Sequence, residues 1–167
     1  HFLNNAFVTN MICKVIEKIG NVKTQIKWPN DILVNNQKIS GIISEIFNID
    51  DTKYTNTGFG INIVSAPSIE NYQTTNLNKY KKEINNFNFV YKLMQEYFSN
   101  VKQLQSDHDI IIRDYKSRLL YLGANIKLKI DDDNIKQGVF HNLNLDGSIS
   151  LKNKNNFENI YNARIII

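Results

Sequence analysis

The run Lys27-Trp28-Pro29-Asn30-Asp31 cuts across an apolar strand pattern with a rigid, polar-edged corner. Proline fixes its own φ and pushes the preceding residue toward extended backbone, so a strand over residues 23–27 ends at Trp28 and the chain turns. Asn30 and Asp31 suit the turn because their short side chains bond nearby backbone groups. Asn35-Asn36 is then a two-residue turn, since asparagine tolerates positive φ, and residues 31–34 and 38–47 become the arms of a β-hairpin. The hairpin returns Lys38 to the side of the corner. Along the returning arm, strict alternation places Ile39, Ile43 and Phe47 on one face and Lys38, Ile42 and Ser44 on the other. Gly41 interrupts the first set, and a glycine inside a strand often marks close approach of a ligand or another backbone.

Asp50-Asp51 turns the chain into a further strand over residues 53–64, which carries Gly58-Phe59-Gly60-Ile61-Asn62. Two glycines at alternate positions strip one face of side chains and open a slot for a flat ring; close packing of a helix there is the competing use. In order and spacing, Lys27-Trp28-Pro29-Asn30-Asp31, then Lys38 with Gly41 and Glu45, then Gly58-Phe59-Gly60-Ile61-Asn62 resemble the biotin protein ligase family, the biotin-[acetyl-CoA-carboxylase] ligases. Three motifs in sequence carry the resemblance, which spans nearly the whole chain.

The remainder is read as support. Residues 4–19 form a helix with Phe7, Met11, Val15 and Ile19 on one stripe and Gly20-Asn21 as its stop. Residues 65–86 are a polar connection of a length that is usually functional or mobile, containing Thr74-Thr75-Asn76-Leu77 where family members carry a short Thr/Ser-Leu signature. Residues 88–104 show Phe89, Leu93, Tyr97 and Val101 at helical spacing, broadened by Met94 and Phe98, and a second helix covers residues 107–120 with Ser106 or Asp107 as its cap. Near Gly123 the period changes from about 3.6 to 2, which divides the chain into residues 1–121 and 122–167. Short strands at 125–130, 136–142, 148–153 and 161–167, turning at 131–134 and at Asp146-Gly147, close most readily into a small barrel.

Composition bounds the function. The 167 residues, 42% hydrophobic, suffice for one substantial core and a small second module. The formal net charge is +4, but the lysines are scattered among acids and asparagines, so no clustered nucleic-acid footprint is expected. The lone cysteine, Cys13, on an apolar segment, is expected to be a small buried hydrophobe in a reducing compartment. No apolar run approaches the roughly 20 residues of a membrane span, and no signal-peptide pattern occurs, so the cytoplasm is expected. His108 and His141 are isolated, and the acidic run Asp131-Asp132-Asp133 reads as a solvated hairpin tip, so no metal site is assigned.

The resemblance implies an α+β fold: a mixed β-sheet with packed helices, part of a class II synthetase-like catalytic domain, followed by a small SH3-like β-barrel. It implies that biotin and ATP, with Mg2+, give biotinyl-5'-AMP, from which biotin passes to a lysine of a biotin carrier protein. Lys38 is the expected cation on the biotin carboxylate and α-phosphate, a case of electrostatic stabilisation. Asp31 is expected to orient or deprotonate the carrier lysine, or to help place magnesium. Gly41 and Ile43 would meet the biotin ring with backbone groups. Gly58, Gly60 and Asn62 would line the adenine site, with Lys27 toward phosphate, Trp28 as a stacking face and Asn30 at the corner; Lys27 and Trp28 have solvation and packing as alternative uses. Glu45 would buttress the strand. The resemblance also implies an arginine- and glycine-rich loop and most of the biotin pocket ahead of the first helix, and nothing like that loop occurs between His1 and Ile167. A homodimer is compatible with this reading. A lipoate-type protein ligase and a non-catalytic fragment that binds nucleotide or carrier are the alternatives.

Overall fold

The structure is a computed structural model describing residues 2–70 and 72–166. Its elements run α1 (Phe2–Gly20), β1 (Gln25–Lys27), β2 (Asp31–Val34), β3 (Gln37–Ile49), β4 (Thr52–Ile61), α2 (Asn86–Asn100), α3 (Gln103–Ser106), α4 (His108–Ser117), β5 (Asn125–Lys129), β6 (Ile135–Leu143), β7 (Ile149–Asn153), β8 (Asn156–Ile160) and β9 (Arg164–Ile166). His1 and Ile167, the ends of the expected course, lie outside the described residues, as does Asn71 in the long connection. None of the described helices is long and apolar enough to cross a membrane.

α1 is buried on more sides than a single stripe accounts for. Phe7, Met11 and Val15 are covered as expected, and so are Ala6, Ile12, Cys13 and Ile16 on the adjoining flank. A helix that is apolar on most sides belongs in the interior, and α1 packs against α2, α4, β3 and β4. Glu17 near its end takes a forked pair from Arg118, Nη2 to Oε2 at 3.1 Å and Nε to Oε1 at 3.3 Å, a charge-assisted geometry that fixes direction as well as distance. Residues 118–120 are thereby laid along β1, where the Ile26 N–H donates to Arg118 O (2.7 Å) and the Leu120 N–H to Ile26 O (2.8 Å). That covers an otherwise open sheet edge.

The first sheet has the order β1–β2–β3–β4, antiparallel at every pairing. Of the expected mixed character the described residues show two isolated parallel bridges, Ile26 with Leu119 and Lys38 with Thr74. Asn35 and Asn36 turn the β2–β3 hairpin at φ of 50° and 61°. The expected face assignment along β3 needs correction. Ile32 pairs with Ser40 but Leu33 with Lys38, so Ile39 is the extra residue of a β-bulge and the alternation slips by one. Ile39, Ser40 and Ile42 therefore all lie inside, whereas Ile43 is 66% exposed. Lys38 ends up over Gly41: a Cβ built on Gly41 would stand 3.2 Å from both Cε and Nζ of Lys38.

β4 sets Gly60 opposite Gly41 and Gly58 opposite Ile43. Beyond Ser44 the β3–β4 hairpin is largely exposed, Phe47 and Tyr54 stack on each other at 5.7 Å, and Glu45 is exposed and buttresses nothing. In α2 the inner stripe is Phe89 and Leu93 with Tyr97 and Val101 partly covered. Met94 and Phe98, expected to widen it, face outward instead.

The second sheet is antiparallel in the order β8–β7–β6–β5–β9. β8 was not foreseen, because its Asn156-Phe157-Glu158-Asn159 stretch is exposed and mixes polar types without alternation. The two sheets meet at the proline corner. The Trp28–Pro29 peptide is cis, Trp28 is 2% exposed, and its indole N–H donates to Gly147 O at 2.9 Å. Gly147 has φ +90°, and a Cβ there would fall 2.5 Å from Cδ2 of Phe2. Phe2 meets Tyr115 edge-on at 5.3 Å, and the Tyr115 hydroxyl donates to Pro29 O at 3.1 Å. Gly147→Ala should thus combine left-handed strain with overpacking and lower stability by about 1–3 kcal/mol in chemical denaturation. Gly58→Ala, whose Cβ would meet nothing within 4 Å, should change it by less than about 0.5 kcal/mol.

Candidate functional site

Strand length decides where the sheet opens. β2 begins at Asp31, so among the described residues the last bond from that side to β3 is the Ile42 N–H to Asn30 O, at 3.0 Å. Where this pairing stops there is a cleft of about 1300 Å³, lined by the 27–31 corner, by Lys38, Gly41, Ile43, Gly60 and Asn62 of β3 and β4, by Tyr72 of the long connection and by Arg164 of β9.

Asp31 stands directly across the ladder from Gly41. Lys38 Nζ lies 2.5 Å from its Oδ1, and the Tyr72 hydroxyl donates to its Oδ2 at 2.7 Å. The missing side chain of Gly41 leaves the room in which this ion pair forms. Lys27 and Lys38 both approach the Tyr72 ring, their Nζ atoms 5.4 Å and 5.7 Å from its centroid, within the range where a ring quadrupole attracts a cation. Burial, then the nearby charge of Arg164, lowers the pKa of Lys27, with Asp31 opposing and Lys38 adding to the effect. Burial raises that of the Tyr72 phenol, and the bond to Asp31 raises it further, so Tyr72 remains a donor throughout the neutral range. Lys27, Lys38 and Arg164 thus share the cleft with Asp31, and Arg164 acts on Lys27 as a like charge. Asp131 and Asp132, exposed as expected for a hairpin tip, also edge the cleft mouth, Asp132 being held by Lys129 at 2.7 Å.

The structure therefore brings together Asp31, Lys38 and Gly41, with Lys27, Asn30, Ile43, Gly60 and Asn62 on the same cleft. Gly58 lies two residues before Gly60 along β4 and outside the lining. Trp28 borders the cleft but presents no stacking face, because its ring is covered and its N–H is committed to Gly147. The side-chain amide of Asn62 donates to Thr75 O at 3.0 Å and more distantly to Lys38 O at 3.4 Å. Of the donor and acceptor expected for a purine edge, the Asn62 acceptor takes no hydrogen bond among the described residues. Tyr72 and Arg164 were not anticipated. A signal existed for Arg164: it is one of three arginines in a chain with 17 lysines, and arginine is the residue suited to phosphate and carboxylate geometry.

The sequence model of the Biotin/lipoate A/B protein ligase family matches residues 2–62. The matched residues contain the corner, the bulge, both glycine positions and Asn62. A biotin--[acetyl-CoA-carboxylase] ligase of Mycobacterium tuberculosis is 23% identical over 130 residues, 77% of this chain and 47% of that protein. The Bifunctional ligase/repressor BirA of Bacillus subtilis is 41% identical over 54 residues, 32% of this chain and 17% of the relative. The chain thus spans less than half the length of these curated relatives. The biotin protein ligase of Aquifex aeolicus in complex with biotin and ATP superposes with a TM-score of 0.77 at 21% identity, covering 98% of this chain and 70% of that one, which establishes a shared fold. The shared fold runs through the second sheet, beyond the segment that the family model matches.

Because Arg164 is the neighbouring charge that most disfavours the Lys27 ammonium, Arg164→Gln should move the Lys27 pKa up toward its ordinary value near 10.5. The sign follows from linkage: between its lowered folded value and the ordinary one, Lys27 binds fewer protons in the folded chain than unfolded, so its contribution to stability rises with pH. An NMR titration of the Lys27 side chain in both proteins reads the shift directly.

Proposed function

We propose that this chain carries the nucleotide- and acid-activating site of an ATP-dependent biotin protein ligase. The observation supporting this most is the placing of Lys27, Arg164 and the Lys38–Asp31 pair on one cleft with Gly41 and Gly60, in a chain whose residues 2–62 match the biotin/lipoate ligase family model. Joining a carboxylic acid to an amine needs an activated acyl group. The biotin carboxylate attacks the α-phosphate of ATP, pyrophosphate leaves, and the mixed anhydride biotinyl-5'-AMP forms. A lysine amine of a biotin carrier protein then attacks the acyl carbon, AMP leaves, and an amide results.

Two anions must approach each other in the first step, and preorganised cations stabilise the charge that develops. Lys38 is the residue for this task, its ammonium transferring from Asp31 to the carboxylate and α-phosphate, with Lys27 and Arg164 toward the remaining phosphate oxygens. Asp31 is then placed to orient the carrier amine or take its proton. Gly41 and Ile43 would face the biotin ring, and Gly60 and Asn62 the adenine side, in accord with their places along the cleft. Residues 1–121 would form the catalytic part and residues 122–167 a C-terminal domain that contributes Arg164. Among the described residues no cluster of three His, Cys, Asp or Glu stands ready to hold a metal, and each oxygen of Asp31 already accepts from a protein donor. The residues present do not form a metal site of their own, so magnesium belongs to the nucleotide it accompanies and no step is routed through it.

Lys38→Ala should cut adenylate formation at least about a hundredfold, on the scale of losing a preorganised oxyanion partner, as read by trapping biotinyl-5'-AMP. Undiminished yield would remove Lys38 from the mechanism. The family description names lipoate as well as biotin, so the acid is tested directly: biotin should support ATP–pyrophosphate exchange where lipoate does not, and the reverse would assign lipoate. The chain spans 47% of the Mycobacterium relative, which favours one further reading, binding without turnover. Nucleotide or adenylate binding with no labelling of a carrier would assign it.

A further inference from the structure

We infer that Tyr72 is a positioning residue that keeps Asp31 in place when Lys38 leaves it for an anion. The role in transfer rests on the ligase reading above, whereas the contacts stand without it. Asp31 has two partners on its two oxygens, Lys38 on Oδ1 and the Tyr72 hydroxyl on Oδ2. They differ in freedom. The backbone of Lys38 is fixed on both sides, its N–H donating to Gln73 O and its carbonyl accepting from the Thr75 N–H, each at 2.9 Å. The strand of connection that makes these bonds is itself tied down, Thr74 Oγ1 donating to Pro67 O at 2.5 Å and Thr75 being 2% exposed. Only the lysine side chain is left to move.

Tyr72 sits on that strapped segment, one residue before the first of these bonds, and so has a set position relative to Lys38 and β2. Its hydroxyl is held protonated by burial and by Asp31. When the Lys38 ammonium turns to a phosphate or carboxylate, Asp31 loses one donor and retains the other, and a partly buried carboxylate keeps its position as well as a hydrogen-bond partner. The ring serves both states, since Lys27 and Lys38 each border it. In the transfer step Asp31 is thereby oriented for the incoming amine after Lys38 has been drawn away. The hydroxyl acts through Asp31 and the ring through the lysines, which makes the two separable by mutation.

Two measurements test this. In a crystal structure of the protein soaked with inorganic pyrophosphate, Lys38 Nζ should contact the anion while the Tyr72 hydroxyl remains bonded to Asp31. Release of Asp31 by Tyr72, or no anion at Lys38, would overturn the inference. In kinetics, Tyr72→Phe keeps the ring and loses the hydroxyl: adenylate formation should stay within about twofold of the parent, and transfer from preformed biotinyl-5'-AMP to a carrier lysine should slow about tenfold, the scale of a hydrogen bond to a charged group. Tyr72→Leu should in addition raise the KM for ATP. Equal loss in both half-reactions of Tyr72→Phe, or loss in neither, would also overturn it. A wild-type protein that forms no adenylate would sink the ligase reading, and the pyrophosphate structure would still decide the fate of Tyr72.

Discussion

One surplus residue in a strand, Ile39, sets the chemistry of the cleft. Lys38 and Gly41 are three apart, and in an unbroken strand they would project to opposite faces. The bulge between Ser40 and Lys38 cancels that difference, so the lysine folds over the glycine and reaches the carboxylate opposite it. The same slip buries Ile39, Ser40 and Ile42 together, which anchors the strand from beneath. Bulges re-aim side chains beside functional sites at the cost of one unpaired ladder position. Here the Ile39 carbonyl accepts from the Asn62 N–H at 2.9 Å, and Gln73 and Thr75 bond the backbone of the neighbouring Lys38, so the irregularity is stabilised by the end of β4 and by the connection that also carries Tyr72.

The second sheet matters to the site because it is held in one place. Trp28, Phe2, Tyr115 and Gly147 make the joint, and it forms at the corner that begins the site. A buried indole with its N–H satisfied combines a large apolar contact with one directional bond, which is what a hinge-free junction between two small sheets needs. The lysine Lys116 adds a polar tie to Asn142 at 3.0 Å. With the sheets fixed in this way, Arg164 of β9 reaches the cleft built by β1 to β4. The tryptophan of the motif serves the site by placing an arginine from the other end of the chain.

Local chemistry made part of this legible. The proline corner, the Asn35-Asn36 turn, the glycine pair across β3 and β4, the helices and the shift to short strands after Gly123 all follow from constraints that act over a few residues. The bulge did not, since alternation alone predicts a regular strand and only the pairing partner shows the skipped residue. Of the two uses open to Trp28, stacking and packing, the structure has packing, because exposure is a property of the packed chain and nothing near it in sequence announces Gly147. Periodicity places Met94 and Phe98 inside, yet α2 rests on only one narrow stripe. Rarity singles out Arg164 without saying where it goes, and nothing local marks Tyr72; long-range packing brings them to Lys27 and Asp31.

Like charges meet at Lys27 where water is partly excluded, and this has an energetic consequence for the folded chain. Burial disfavours the Lys27 ammonium, Arg164 and Lys38 add to that, and Asp31 opposes it. Holding Lys27 there lowers stability, in the manner of sites tuned for function at some expense to folding. An anion seated beside it offsets this. It would relieve the repulsion between Lys27 and Arg164 and give Lys38 a partner stronger than Asp31, so ligand binding and stability are coupled through the same few charges. The Lys38–Asp31 pair is therefore best understood as the resting arrangement of a site whose electrostatic balance is completed by a phosphate or carboxylate, with Asp31 holding the ammonium in reach until one arrives.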